Sequence, residues 1–355
     1  MEKKDIVGIK DVAKRANVGL ATVDRVIHGR SGVSKKTREK VLKVIEELNY
    51  KPNMMASNLS KKKTFVLGVL LPNVSKESSY WGLPVKGVER AGKELQHYPV
   101  RIEKFLYDQA SVKEMRKQIL KVINSKIDGL VLTSKFAEET EILLQDCNEK
   151  NLPYIFIDSN ERDEKAVCTI QQSLYESGQL AGQLFNYCFQ EGNILVLFFK
   201  NIMDSEAGIN KKIQGLNDFL KENDSLVKTR KYVISNFSQE QVDKELNKIF
   251  AGNENIKGVF IPNSRVGYMA RYLHNNAMDR KVYLIGYDYL TENNEYLQKG
   301  AIDFLISQRP EEQGYKAIIK LFEHIVLKKN IEPEIFIPLD IITSKNYKYY
   351  LNYED

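Results

Sequence analysis

The apolar residues of this chain change their period once, at Lys61-Lys62-Lys63, and that change limits the fold more than any other feature. Beyond it, short apolar runs alternate with longer stretches of helical period. Phe65–Leu71, Ile102–Leu106, Gly129–Leu132, Tyr154–Ile157, Ile194–Phe198, Val259–Ile261, Tyr283–Ile285 and Phe304–Ile306 read as strands. Leu83–Leu95, Lys113–Asn124, Leu174–Phe189, Ile213–Leu220, Val242–Phe250 and Gln313–Leu327 read as helices. This alternation predicts parallel sheets covered by helices, and so many units predict two of them.

Before the lysine run only helical period is present. Ile9, Val12, Ala13 and Ala16 form one apolar stripe, and Asn17-Val18-Gly19 breaks it. A second helix from Leu20 to about Ile27 turns Val23, Val26 and Ile27 inward, with His28-Gly29 as its stop. A third starts after Val33 with Ser34 as N-cap, carries Val41, Val44, Ile45 and Leu48 on one face, and ends near Asn49-Tyr50 before Pro52. Three short helices sharing a core make a helix-turn-helix unit. Burying one face of the second helix leaves Leu20, Ala21, Asp24 and Arg25 outward, where a major groove would meet them. Arg25 can donate two parallel hydrogen bonds to guanine, and Leu20 and Ala21 offer apolar surface to thymine methyls. Thr22, Lys35, Lys36 and Arg38 are placed for phosphate, and Ile9, opening the first helix, joins this DNA-facing set.

The charge balance agrees with that division. Residues 1–63 carry a net +9 and residues 64–355 a net −3, so a basic head suited to a polyanion precedes a mildly acidic body. A solvated basic tail would give the same charge without the apolar periodicity. No apolar run is long enough to cross a membrane, the charged start lacks the apolar segment of a secretory signal, and Cys147, Cys168 and Cys188 form no CxxC pair. A reducing cytoplasm is the expected compartment. Walker, GxGxxG, GxSxG and HExxH motifs are absent and the four histidines are scattered, so neither catalysis nor a metal or other cofactor is expected. Gly178 and Gly182 form a GxxxG best explained by close helix packing.

Ligands of parallel sheets bind beyond the carboxyl ends of the strands. Those ends bring Asn73, then Tyr80-Trp81, Asp158, Asn263 with Arg265, Asp288 and Gln308. Aromatic faces with fixed amides and carboxylates make a polyol site. Taken singly, Trp81 is equally a half-buried aromatic, and a strand-end Asp or Asn equally a helix cap.

Ile9-Lys10-Asp11-Val12-Ala13-Lys14-Arg15-Ala16, Ala21-Thr22-Val23-Asp24-Arg25-Val26, Val33-Ser34-Lys35-Lys36-Thr37-Arg38 and Tyr50-Lys51-Pro52-Asn53 stand in one order, and together they resemble the lactose and galactose repressor family. Gly286-Tyr287-Asp288, the stretch from Gly300 to Gly314 and Lys212-Ile213-Gln214-Gly215-Leu216 extend the resemblance to its periplasmic-binding-protein-like effector domain. The resemblance implies an all-α helix-turn-helix head over 1–51, a hinge over 52–63 and an α/β effector body over 64–355 of two parallel-sheet lobes, type I. It places the first lobe at about 64–169 and 304–331 and the second at about 170–303 and 332–355. It implies that Asn53, Ala56 and Leu59 meet the minor groove from a hinge helix, although a plain linker would also suit that segment. It puts Asp288 and Gln308 in the ligand cleft, with Lys212 where the family has arginine. Asp24 stands where the family has serine, and Ser57 where it has a hinge arginine. The implied function is a transcriptional regulator, a repressor in most such proteins. It would bind a near-palindromic operator as a homodimer, through the lobe nearer the DNA, under control of a small carbohydrate effector, with no membrane partner. An enzyme and a transporter's solute-binding protein are the rivals. The effector, the operator and the sign of regulation are not written in the sequence.

Overall fold

The computed structural model describes residues 9–27, 30–48, 63–75, 78–134, 136–159, 163–200, 206–235, 238–252, 255–276 and 282–351. The chain divides into two compact units, 1–63 and 64–355.

The first unit holds α1 (Ile9–Ala16), α2 (Leu20–Ile27) and α3 (Lys35–Glu47). Asn17, at φ 50°, ends α1 in a left-handed cap: its N–H donates to Lys14 O (3.2 Å) and that of Val18 to Ala13 O (3.0 Å). Ser34 caps α3, its hydroxyl accepting from Thr37 N at 3.3 Å. Val12, Ala13, Ala16, Val23, Val26, Val41 and Val44 form the buried core, with Ile27, Ile45 and Leu48 packed against it. The hinge residues 52–62 lie outside the described residues, as do His28-Gly29 and Asn49-Tyr50.

The second unit opens with β1 (Phe65–Pro72), α4 (Gly82–Glu94), β2 (Val100–Tyr107), α5 (Val112–Ile123), β3 (Gly129–Leu132), α6 (Ala137–Glu149), β4 (Tyr154–Ile157) and β5 (Cys168–Gln171). There follow α7 (Leu174–Cys188), β6 (Glu191–Phe199), α8 (Glu206–Glu222), β7 (Leu226–Ile234), α9 (Gln239–Ala251), β8 (Ile256–Phe260), α10 (Val266–Asn275), β9 (Tyr283–Tyr287), α11 (Thr291–Gln298) and β10 (Phe304–Ser307). The chain closes with α12 (Pro310–Ile325), β11 (Glu334–Phe336), β12 (Asp340–Ile342) and α13 (Lys348–Leu351).

Two six-stranded sheets result, in the orders β11-β5-β4-β3-β1-β2 and β12-β10-β9-β8-β6-β7. The first is parallel throughout, and in the second only β12 runs antiparallel, against β10. The two orders superimpose strand for strand, so each lobe repeats the other. Each also carries one helix pair in backbone contact. A Cβ on Gly87 would lie 1.9 Å from Glu311 O and one on Gly314 2.1 Å from Pro84 O, locking α4 to α12. Gly178 against Lys212 O (1.9 Å) and Gly215 against Tyr175 O (2.1 Å) do the same for α7 and α8. Close packing therefore accounts for Gly178, as its sequence context indicates.

The lobe boundaries need correction. Strand β10, expected in the first lobe, pairs with β9 in the second, and β11, expected in the second, pairs with β5 in the first. The chain thus crosses after Gln171, after Ser307 and after Phe336, the last two later than the expected 303 and 331. Crossings are continuous extended backbone, and no composition change marks them.

Candidate DNA interface and ligand cleft

On α2 the outward set is as the periodicity requires. Leu20 is 46% exposed, Ala21 and Arg25 are exposed, and Val23 and Val26 are buried. Lys35 and Lys36 stand exposed on the first turn of α3, and Thr22 is half-buried. Asp24 pairs with Arg30 at 3.1 Å, which answers how a carboxylate is tolerated on this face: a neighbouring cation neutralises it. The Arg38 Nη2 donates to Arg30 O at 2.8 Å and so braces the loop after α2. Ile9 opens α1, and Asn53, Ala56 and Leu59 lie outside the described residues.

In the body, strands β4 and β9 occupy equivalent places and each ends on an aspartate in the left-handed region, Asp158 at φ 46° and Asp288 at φ 61°. Such backbone in a non-glycine residue is strained and concentrates at functional sites. Strands β5 and β10 likewise each lead into a glutamine, and the Gln172 amide donates to Gln308 Oε1 from lobe to lobe. Gln308 Nε2 donates to Asp288 Oδ2 at 2.8 Å. Gln313 joins the sets, accepting from Asp158 N (3.0 Å) and donating to Gln308 O (3.1 Å). The Tyr80 hydroxyl is buried and is held protonated by that burial and then by the charges of Asp158 and Asp288.

Asp288 is fully buried, and burial raises its carboxyl to about 7; hydrogen bonds from Gln308 and the charge of Lys212 pull it down, and Asp158 pushes it up. Lys212, 5% exposed, donates to Pro262 O at 3.1 Å, and its ammonium lies 3.5 Å from the centre of the Tyr287 ring. The Tyr287 hydroxyl donates to Ser177 Oγ at 2.9 Å. Asn263 Nδ2 and Arg265 Nη1 both donate to Phe199 O, at 2.8 and 3.0 Å, tying the β8–α10 loop to the end of β6.

The predicted set is therefore gathered in part. Asp288 and Gln308 meet directly, and Tyr80, Asp158 and Lys212 lie within electrostatic reach of Asp288. Trp81 is packed in the first lobe's core, edge-on to Tyr80 at 5.1 Å. Asn73 is exposed, its Oδ1 accepting from Val74 N. Sequence reading missed Gln172, Gln313, Tyr287 and Ser177. It also missed a clasp across the lobes, where Ser79 N and Oγ donate to the Glu292 carboxylate at 3.1 and 2.8 Å and Leu290 is buried in the first lobe's core. The internal repeat was the available signal: Gln172 follows β5 as Gln308 follows β10, but β5 had not been read as a strand.

A three-helix head bearing a groove-sized polar and apolar face, joined to a two-lobed body with converging carboxylates and amides, defines a DNA-binding protein with a ligand-binding domain. The family models agree: residues 8–53 match bacterial regulatory proteins of the lacI family, and residues 67–329 match the periplasmic binding protein domain. The chain belongs to the LacI family, with a helix-turn-helix head on a periplasmic-binding-protein-like body. It is 33% identical over 159 residues to catabolite control protein A of Staphylococcus xylosus, covering 44% of this chain and 46% of that protein, so it spans about half the length of this relative. The lac repressor dimer bound to operator and the anti-inducer ONPF superimposes with a TM-score of 0.60 at 19% identity, over 95% of this chain and 99% of the other. The glucose-galactose binding protein GanP of Geobacillus stearothermophilus superimposes with a TM-score of 0.68 at 24% identity, over 80% and 99%. Both likenesses establish the fold. No helix among the described residues is long and apolar enough to cross a membrane.

Proposed function

We propose that the protein is a cytoplasmic repressor that binds a near-palindromic operator as a homodimer, and that a sugar held between its lobes sets its DNA affinity. The observation that carries the reading is the pair of strand-end aspartates in left-handed backbone, Asp158 and Asp288, one at the equivalent strand end of each lobe, with Asp288 fully buried and held by Gln308. Two fixed acceptors suit ligand hydroxyls, and an amide bridge between lobes ties occupancy to closure. Lys212, engaged with a carbonyl and a ring, is a point charge rather than a fork, which favours an uncharged ligand over an acid. Arg25 and its exposed neighbours on α2 read the operator bases. Two heads give the site its length, because one covers too few base pairs for useful specificity. The dimer forms through the first lobe, with α4 at the interface. The test is fluorescence anisotropy of a duplex from the protein's own promoter region, titrated with full-length protein over a panel of hexoses, pentoses and their phosphates. A sugar should change operator affinity in the wild type and leave it unchanged in Asp288→Asn. An operator affinity indifferent to every sugar that binds the body would refute the reading.

A further inference from the structure

The second crossing between the lobes serves two sides. Gln308 turns to Asp288 and Gln172 in the cleft, while Ser307 and Arg309, one residue to either side, line a separate cavity of about 470 Å³. The first lobe walls this cavity with Arg90 and the opening turn of α12, and the second with Asp340 and Tyr289 together with Tyr349 and Tyr350 near the C-terminus. Its size falls within the ~300–1,000 Å³ typical of small-molecule sites.

We propose that this cavity is a second small-molecule site, for an uncharged, ring-bearing polyol such as a neutral saccharide, and that its occupant biases the same lobe closure as the cleft.

The lining chemistry selects that class. Arg90 donates to Glu311 at 2.6 Å and to Glu312 at 2.8 Å, and Arg309 forks onto Asp340 at 2.6 and 2.7 Å. Both guanidiniums are committed, and three carboxylates face them. A phosphate or carboxylate ligand would have to break an ion pair and meet the surplus negative charge. An organic cation would meet the two arginines. An uncharged ring instead stacks on tyrosine and hydrogen-bonds to the lone pairs the ion pairs leave unspent. Tyr349 is 63% exposed, a large aromatic face held at the rim of the cavity. Coupling to the cleft follows from the shared backbone. Arg309 stands at φ 45°, a left-handed residue between the Gln308 contact and the Asp340 pair, so a shift on one side changes the strain on the other.

The proposal rests on the body closing around ligands but not on which sugar the cleft takes, and the experiment separates the two. Full-length Asp288→Asn protein, with its cleft disabled, is probed by saturation-transfer NMR with glucose, maltose, sucrose and trehalose, and with glucose 6-phosphate and spermidine as charged probes. At least one neutral sugar should bind, about tenfold more weakly once Tyr349→Ala removes the exposed ring. Ser307→Trp, which fills the cavity, should abolish that binding, and Tyr349→Ala at the rim keeps the result readable if Ser307→Trp does not fold. Loss of all neutral-sugar binding in Asp288→Asn, binding indifferent to Tyr349→Ala, or binding of the charged probes alone would overturn the second site. The first of these outcomes would leave the cleft reading intact.

Discussion

At the scale of single residues, Arg25 and Asp24 are neighbours with opposite tasks. Arg25 is exposed, whereas Asp24 holds Arg30. Arg25→Ala is expected to cost about 1–3 kcal/mol at the operator and to relax preference at one base pair per half-site. Affinity measured across a set of single-base operator variants checks this, and an equal loss on random DNA would show that Arg25 touches only phosphate. Asp24→Asn releases Arg30 toward the phosphates and removes a repelling charge. Binding should tighten on all sequences, and the slope of log affinity against log salt should steepen by about one per head. An unchanged slope would mean that Arg30 never reaches the backbone.

Among elements, the helix pairs and the clasp are the parts whose function is mechanical. Gly178→Ala places a methyl where α8 backbone already stands, 1.9 Å from Lys212 O, so α7 must move off α8. Overpacking of this kind costs about 1–3 kcal/mol, read as a lowered thermal midpoint of the body. Gly252→Ala, whose nearest neighbour beyond its own backbone is 3.4 Å away, should leave the midpoint unmoved. Glu292→Ala removes both Ser79 hydrogen bonds, so the open form gains population and more effector is needed for the same response. Trp81, two residues from Ser79, is the chain's only tryptophan and reports the change by its fluorescence.

The same elements mark how far the sequence could be read. Strands β3 and β4 are apolar at every position and were found to the residue. Strand β7 alternates exposed Lys228 and Arg230 with buried Val227, and as a charged edge strand it gave no apolar run. Helix α6 spreads five acidic residues around a weak apolar face and was missed for the matching reason. The head was legible because its seven core positions are all Val or Ala at helical spacing. The cleft was legible only as strand ends. That Gln172 meets Gln308, and Glu292 meets Ser79, depends on lobes brought together by crossings that leave no local mark.

For the molecule as a whole, the full burial of Asp288 at the end of its strand has a consequence for pH. An open cleft would hydrate Asp288 and return it toward its ordinary value near 4; with the lobes as they stand, burial first raises it to about 7, with Gln308 and Lys212 opposing and Asp158 adding to the rise. Between these values the closed state holds a proton that the open state lacks. Closure of the empty protein is therefore favoured as pH falls from 7 toward 4, the advantage fades as pH rises through 7, and above 7 the buried charge opposes closure in full. A ligand whose hydroxyls donate to Asp288 stabilises the ionised form, so binding near neutral pH should release a fraction of a proton. Calorimetric titrations of an effector sugar in buffers of different ionisation enthalpy measure that number directly. Asp288→Asn should flatten the pH dependence of closure, followed through Trp81, since an amide cannot titrate; a wild type whose closure is level between pH 5 and 8 would show that the carboxylate stays ionised through a partner such as Lys212.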